Sequence, residues 1–154
     1  MEVISYMKLL ESFRFFVYSF PLIINLNIIF AQPEIAWLQT YGGASWDEGH
    51  CVRETVDGGY IVGGLTMSYS EGSYDVYLIR TNANGDLLWS QSYGGAGWDE
   101  ARAIQEVSDG GFILAGRTTS FGAGDSDIYI IRTDLNGEIL WSQTYGGESY
   151  DDSQ

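Results

Sequence analysis

Trp37-Leu-Gln-Thr-Tyr-Gly-Gly43 recurs as Trp89-Ser-Gln-Ser-Tyr-Gly-Gly95 and again as Trp141-Ser-Gln-Thr-Tyr-Gly-Gly147, each copy 52 residues after the last. The same offset carries Trp46-Asp47-Glu48 onto Trp98-Asp99-Glu100, Asp57-Gly58-Gly59 onto Asp109-Gly110-Gly111, Asp75 onto Asp127, and Asn84-Gly85 onto Asn136-Gly137. Residues 37–88 and 89–140 agree at 26 of 52 positions without a gap. A fixed period of this length is the signature of a propeller, solenoid or array.

The content of one period decides between these. Tyr60-Ile-Val62 and Phe112-Ile-Leu114 follow Asp-Gly-Gly turns, residues 76–79 and 128–131 are short runs of β-branched and aromatic residues, and Leu87-Leu-Trp89 and Ile139-Leu-Trp141 follow Asn-Gly. Each run reads as a strand. Asn-Gly between two such runs predicts a hairpin with a type I′ turn, which needs positive φ at both central residues. With a further segment before the Asp-Gly-Gly turn, the strands fall near 49–56, 60–66, 74–81 and 86–93. No stretch after residue 36 sustains a 3.6-residue apolar period, so helix is not expected there. Four antiparallel strands per period, apolar on both faces, describe an all-β propeller blade sandwiched between neighbours.

The motifs W-x-Q-[ST]-Y-G-G, W-D-E, D-G-G-[YF]-I, G-x-T-x-S, D-x-Y-x-I-R-T and N-G-x-[LI]-L-W resemble the tandem β-propeller blades of secreted bacterial and archaeal repeat proteins. The N-G-x-x-L-W end is also similar to the tryptophan-docking segment of quinoprotein-type propellers, in which an aromatic ring of one blade packs on a glycine of the next. That likeness implies structural roles for Trp89 and Trp141; Trp37 and the turn residues Gly58, Gly59, Asn84, Gly85, Gly110, Gly111, Asn136 and Gly137 read as structural positions of the repeat. Kelch blades share the period and a Gly-Gly doublet, but their tyrosine and tryptophan spacing fits less well. The resemblance implies an extracellular setting and no particular substrate.

The phase of the repeat yields blade 1 near residues 42–93, blade 2 near 94–145, and the start of a third at 146–154. Residues 37–41 stand where the last strand of a preceding blade belongs, which predicts an N-terminal closing strand. Two blades do not close a ring, since four to eight are typical. One blade face spans about 400 Å² at roughly 4.8 Å between strands, and leaving it wet forfeits at most about 10 kcal/mol at ~25 cal/mol per Å². The expectation is therefore an incomplete ring, completed by further blades or by self-association.

Residues 1–31 differ from all that follows. An almost wholly apolar stretch from Phe15 to Phe30 follows Lys8 and Arg14 and ends at Ala31, the pattern of a secretory signal peptide cleaved before Gln32. Met7-Lys8 opens a more conventional signal than Met1, and residues 32–36 form a short linker. Pro21, Asn25 and Asn27 interrupt the stretch as a membrane span, which needs about 20 apolar residues. The chain is thus expected to be secreted or cell-surface, with no stable span after cleavage.

Composition narrows the function classes. With 21 acidic against 7 basic residues and a net charge of −14, the chain lacks the basic patch that nucleic-acid binding requires. The single cysteine, Cys51, excludes an intrachain disulfide framework. His50 and Cys51 are adjacent, but Arg102 and Ala103 replace them in the next repeat, so the pair reads as structural rather than as a nucleophile and base. Asp134-Leu-Asn-Gly137 matches part of a calcium loop, but Gln143 stands where an EF-hand needs glutamate. No P-loop, dinucleotide fingerprint or serine triad signature is present.

Two classes of function remain. The first is a non-catalytic secreted module for protein or surface interaction, with Asp47, Glu48, Asp99 and Glu100 as loop contacts. The second is carbohydrate binding, alone or as an accessory region of a polysaccharide-degrading enzyme, with Trp46 and Trp98 as stacking platforms. The plainer reading of both tryptophans is inter-blade packing, since a large aromatic repeated at a fixed blade position is usually core. Loop carboxylates Asp47, Glu48, Asp75, Asp99, Glu100, Asp125 and Asp127 are candidate Ca²⁺ ligands, because hard oxygen donors suit that ion. Their plainer reading is that they satisfy loop amides or pair with Arg80 and Arg132.

Overall fold

Alternation of branched and aromatic residues with glycine-bearing turns builds eight strands: β1 (Asp47–Glu54), β2 (Tyr60–Thr66), β3 (Asp75–Thr81), β4 (Leu87–Tyr93), β5 (Asp99–Glu106), β6 (Phe112–Thr118), β7 (Asp127–Thr133) and β8 (Ile139–Tyr145). The computed structural model describes residues 35–149 and 151. The expected signal peptide, most of the linker and part of the third-repeat start lie outside these residues. Each period forms one four-stranded sheet of consecutive antiparallel strands, β1-β2-β3-β4 and β5-β6-β7-β8. The protein is all-β, with two open propeller-type blades and no helix among the described residues. No helix there is long and apolar enough to cross a membrane.

The first strand lies two residues earlier than its sequence placement at 49–56. Thr55 and Val56 are drawn into the turn, where Gly58 N–H donates to Thr55 O at 2.8 Å and Thr55 N–H donates to Gly59 O at 2.9 Å. The Asn-Gly hairpin also departs from type I′. Only glycines have positive φ, Gly85 at 78° and Gly137 at 84° among them, so Asn84 and Asn136 stay in the right-handed region. The turn is instead type I followed by a left-handed glycine, with a register shift between Arg80 and Thr81. Asn82 explains the choice, because its Oδ1 accepts the N–H groups of both Asn84 and Asp86 at 2.9 Å. Asp134 repeats this on Asn136 and Glu138.

Residues 37–41 join no ladder among the described residues, so the expected closing strand is not formed there. The segment still rests on blade 1. The Trp37 ring lies 5.6 Å from that of Tyr60, and the Tyr41 hydroxyl donates to Gly85 O. One repeat later, Trp89 is 6.0 Å from Phe112 and Tyr93 Oη donates to Gly137 O at 2.6 Å.

The core is shared between blades. Ile61, Val76, Leu78 and Tyr93 of blade 1 pack with Ala101, Ile104, Phe112, Leu114, Tyr129 and Ile131 of blade 2, flanked by Cys51 and Trp89. Blade 1 thereby covers β5, whose copy β1 is mostly exposed. The faces left open are repeat copies of the faces packed together. Val52 on the leading face of blade 1 is 53 % exposed, while its copy Ile104 is 3 % exposed; Tyr145 on the trailing face of blade 2 is 55 % exposed, while its copy Tyr93 is 8 % exposed.

Candidate functional site

The polar residues that recur in the repeat gather at two ends of each blade. At one end, strand register aligns Asp47, Thr66 and Asp75 in a row across blade 1, and Asp99, Thr118 and Asp127 in the same row across blade 2. Asp47 Oδ1 accepts the Thr66 hydroxyl, while Oδ2 accepts Gly43 N–H and the Ser68 hydroxyl, both at 2.7 Å. Burial acts against the Asp47 charge, but these donors outweigh it and hold its carboxyl below the ordinary value.

Blade stacking then brings together unlike members of adjacent rows. Asp75, which opens β3, and Asp99, which opens β5, converge on Gly94. A Cβ on that glycine would overlap Asp75 Oδ1 and come within 2.7 Å of Asp99 Oδ2. The arrangement repeats at Gly146, where a Cβ would overlap Asp127 Oδ1 and approach Asp151 Oδ2 to 2.8 Å. Asp75, Asp99 and Asp127 are 3, 0 and 2 % exposed. Their Oδ1 atoms are buried without a hydrogen-bond partner. The remaining oxygens are engaged: Asp75 Oδ2 by Glu71 N–H at 3.3 Å, Asp99 Oδ2 by Gly95 N–H and the Ser120 hydroxyl, and Asp127 Oδ2 by Ala123 N–H at 2.7 Å. Burial raises the Asp75 carboxyl above its ordinary value, and the charges of Asp99 and Glu71 push the same way.

The other candidate ligands lie elsewhere. Asp125 is in the exposed loop before β7. Glu100 is 3 % exposed, with Arg102 Nε at 2.8 Å and Arg117 Nε at 2.9 Å from Oε1, and Trp98 Nε1 donating to Oε2 at 3.1 Å. Burial opposes its charge, but these partners prevail and lower its pKa. In blade 1 the copies of Arg102 and Arg117 are His50 and Leu65, and Glu48 remains largely exposed at 3.8 Å from His50. Among the described residues no three acidic, histidine or cysteine side chains converge as a metal cluster. The seven carboxylates therefore form no single group among the described residues.

At the opposite end, Arg80 and Arg132 do not pair with the loop carboxylates, because their strands point them at the Asp-Gly-Gly turns. Arg80 Nη2 grips Asp57 at 2.5 and 2.7 Å, and Arg132 Nη2 grips Asp109 at 2.5 Å to both oxygens. Beside this end a groove of about 430 Å³ runs between the blades, lined by Val56, Arg80, Leu88, Trp89, Phe112 and Leu135.

The two candidate platforms differ although both stand in the same Trp-Asp-Glu motif. Trp98 lies 4.4 Å from the Tyr74 ring of blade 1, with the Arg117 guanidinium 5.3 Å from its centroid. Trp46 is 63 % exposed and its Nε1 reaches Glu48 at 3.3 Å. Asp99 and Glu100 are buried, so of the four proposed loop contacts only Asp47 and Glu48 offer surface. Cys51 packs against the shared core, and burial raises its thiol pKa, the reverse of what an activated nucleophile needs. His50 Nδ1 lies 3.1 Å from Ala101 O across the junction.

Residues 57–87, from the first turn of blade 1 to the start of β4, match a family described as a domain of unknown function (DUF5122) β-propeller. This supports a propeller-blade repeat. No curated protein matches the chain. The quantity that sequence comparison of like positions missed is the contact between unlike ones: Asp75 with Asp99, 24 residues apart and in different periods. The available signal was the Gly-Gly doublet placed between an aspartate before it and another after it, Asp75 and Asp99 around Gly94-Gly95 and Asp127 and Asp151 around Gly146-Gly147.

Proposed function

We propose that the chain is a non-catalytic, exported propeller-repeat module that works by surface contact, and that the partner its two open faces fit is another blade of the same repeat. The observation that carries this is the exposure of Val52 and Tyr145 at positions whose copies, Ile104 and Tyr93, are buried against each other's blades. Each open face thus has the cut of a surface that already has a matching counterpart in the chain. Such head-to-tail contacts are heterologous and extend or close into rings. The apolar segment at residues 15–31 supports export. Light scattering on the chain lacking residues 1–31 tests the reading: concentration-dependent association, weakened by Val52→Asp, is expected. A monomer at every concentration, indifferent to Val52→Asp, rules it out.

A second reading, glycan binding, is favoured by one observation, the exposed indole of Trp46 beside the Glu48 carboxylate. Titrating tryptophan fluorescence against a glycan panel separates it from the first. Quenching that disappears in Trp46→Phe supports a platform at that residue; no response, or one unchanged in Trp46→Phe, removes it.

A further inference from the structure

We propose that each blade junction binds one Ca²⁺ ion between the aspartate opening the third strand of one blade and the aspartate opening the first strand of the next. The pairs are Asp75 with Asp99 at Gly94, and Asp127 with Asp151 at Gly146.

Two carboxylates alone would not make a site. The additional observation is that the Oδ1 atoms of Asp75, Asp99 and Asp127 are buried with no hydrogen-bond partner, and that those of Asp75 and Asp127 face the same glycine as the second carboxylate. A buried anionic oxygen without a donor or counter-charge is costly. At each junction the same glycine is approached by this oxygen and by the second carboxylate. The arginines that pair with carboxylates are committed to Asp57, Asp109 and Glu100. A cation between the two carboxylates removes both the missing partner and the repulsion. Glycine is required there because a side chain would fill the approach to both oxygens.

The donors choose the ion. All are carboxylate oxygens, with no thiolate or imidazole to favour zinc or copper. Ca²⁺ accepts irregular oxygen shells at about 2.3–2.6 Å, whereas Mg²⁺ demands near-octahedral geometry and gives up water reluctantly. With two carboxylates and the remaining positions filled by water, the affinity belongs to the weak class of roughly 10⁻⁴–10⁻³ M. Binding to the folded form alone makes stability rise with ion concentration.

Thermal unfolding of the chain lacking residues 1–31, with and without about 10 mM Ca²⁺, is expected to show Tm rising by about 10 °C or more for the two sites together, with a smaller effect of Mg²⁺. The double variant Asp75→Asn/Asp127→Asn is expected to lose this response and, without calcium, to melt above the unsubstituted chain because the like charges are gone. Asp125→Asn is expected to retain the response. Should the double variant fail to fold, Tb³⁺ luminescence on the unsubstituted chain supplies the second measurement. Emission sensitised by Trp98, displaced by Ca²⁺ and reduced in Trp98→Phe, is expected. Four results overturn the proposal: no calcium-dependent Tm, an equal response to Mg²⁺, a response retained without Asp75 and Asp127, or Tb³⁺ emission unaffected by Ca²⁺. Calcium indifference with higher Tm at acid pH would show that a shared proton joins the pair instead.

Discussion

The indole of Trp89 lies against Gly137, one blade further on, so that a Cβ there would come within 2.9 Å of Cζ3. The same glycine closes its hairpin at φ 84°, and its carbonyl accepts the Tyr93 hydroxyl. One residue is thus turn, packing surface and hydrogen-bond acceptor across the junction.

Replacing it separates strain from crowding. Gly137→Ala is expected to cost about 2–4 kcal/mol, combining a left-handed alanine with an overpacked contact. Gly58→Ala shares the strain, at φ 81°, but has nothing within 4 Å, and is expected to cost only about 1–2 kcal/mol. Gly147→Ala, with open space and no positive φ, is expected to fall within about 0.5 kcal/mol of the unsubstituted chain. Urea unfolding of the three variants checks the order.

Tyr93→Phe leaves the Gly137 carbonyl without its donor in a buried place, a loss of about 1–3 kcal/mol. Tyr145→Phe, at the exposed copy, is expected to be nearly neutral. Burial also raises the Tyr93 phenol well above its ordinary value, with the charges of Glu138 and Asp134 adding to it. Its neutral form is therefore favoured in the fold, so its contribution is complete below about pH 10, the unfolded pKa, and is lost as pH rises beyond that. Alkaline unfolding curves are expected to be shallower for Tyr93→Phe.

Phe112 is the knob that blade 2 presents to Trp89, and it is 1 % exposed. Phe112→Ala is expected to destabilise by about 3–5 kcal/mol. Tyr60→Ala, at its half-buried copy, removes a ring that packs on Trp37 and is expected to cost less. Denaturant midpoints followed by tryptophan fluorescence measure both.

Acid tests the Asp57–Arg80 pair. The Thr55 hydroxyl, then Gly59 N–H and the Arg80 guanidinium, lower the Asp57 pKa to about 2. A depressed carboxylate stabilises the fold above its unfolded value, near pH 4, and this stabilisation is lost as pH falls through about 2. The Asp57 side chain is 66 % exposed, so solvent screening limits its worth to below about 1 kcal/mol. Asp57→Asn is expected to flatten the stability profile between about pH 4 and 2, a slope read from urea midpoints.

Strand content and the grouping of four antiparallel strands per period were legible because like positions repeat every 52 residues and each run is bounded by glycine turns. Two things were not. The hairpin type depends on Asn82 and Asp134, whose side chains bind the turn from outside the Asn-Gly pair. The junction depends on stacking, which pairs Asp75 with Asp99 rather than Asp47 with its copy. Stacking likewise makes Trp46 and Trp98 differ in exposure although their motifs are identical, since among the described residues Trp98 meets Tyr74 of the other blade.

The gap-free spacing of Trp37, Trp89 and Trp141 has a genetic corollary. Duplication or deletion of one whole 52-residue unit restores every inter-blade surface, whichever residue the breakpoint falls on. Indels of other lengths inside a strand put a tryptophan out of step with its glycine. Blade number in such a gene can therefore drift in whole units by unequal recombination, while the blade itself is held to a constant length.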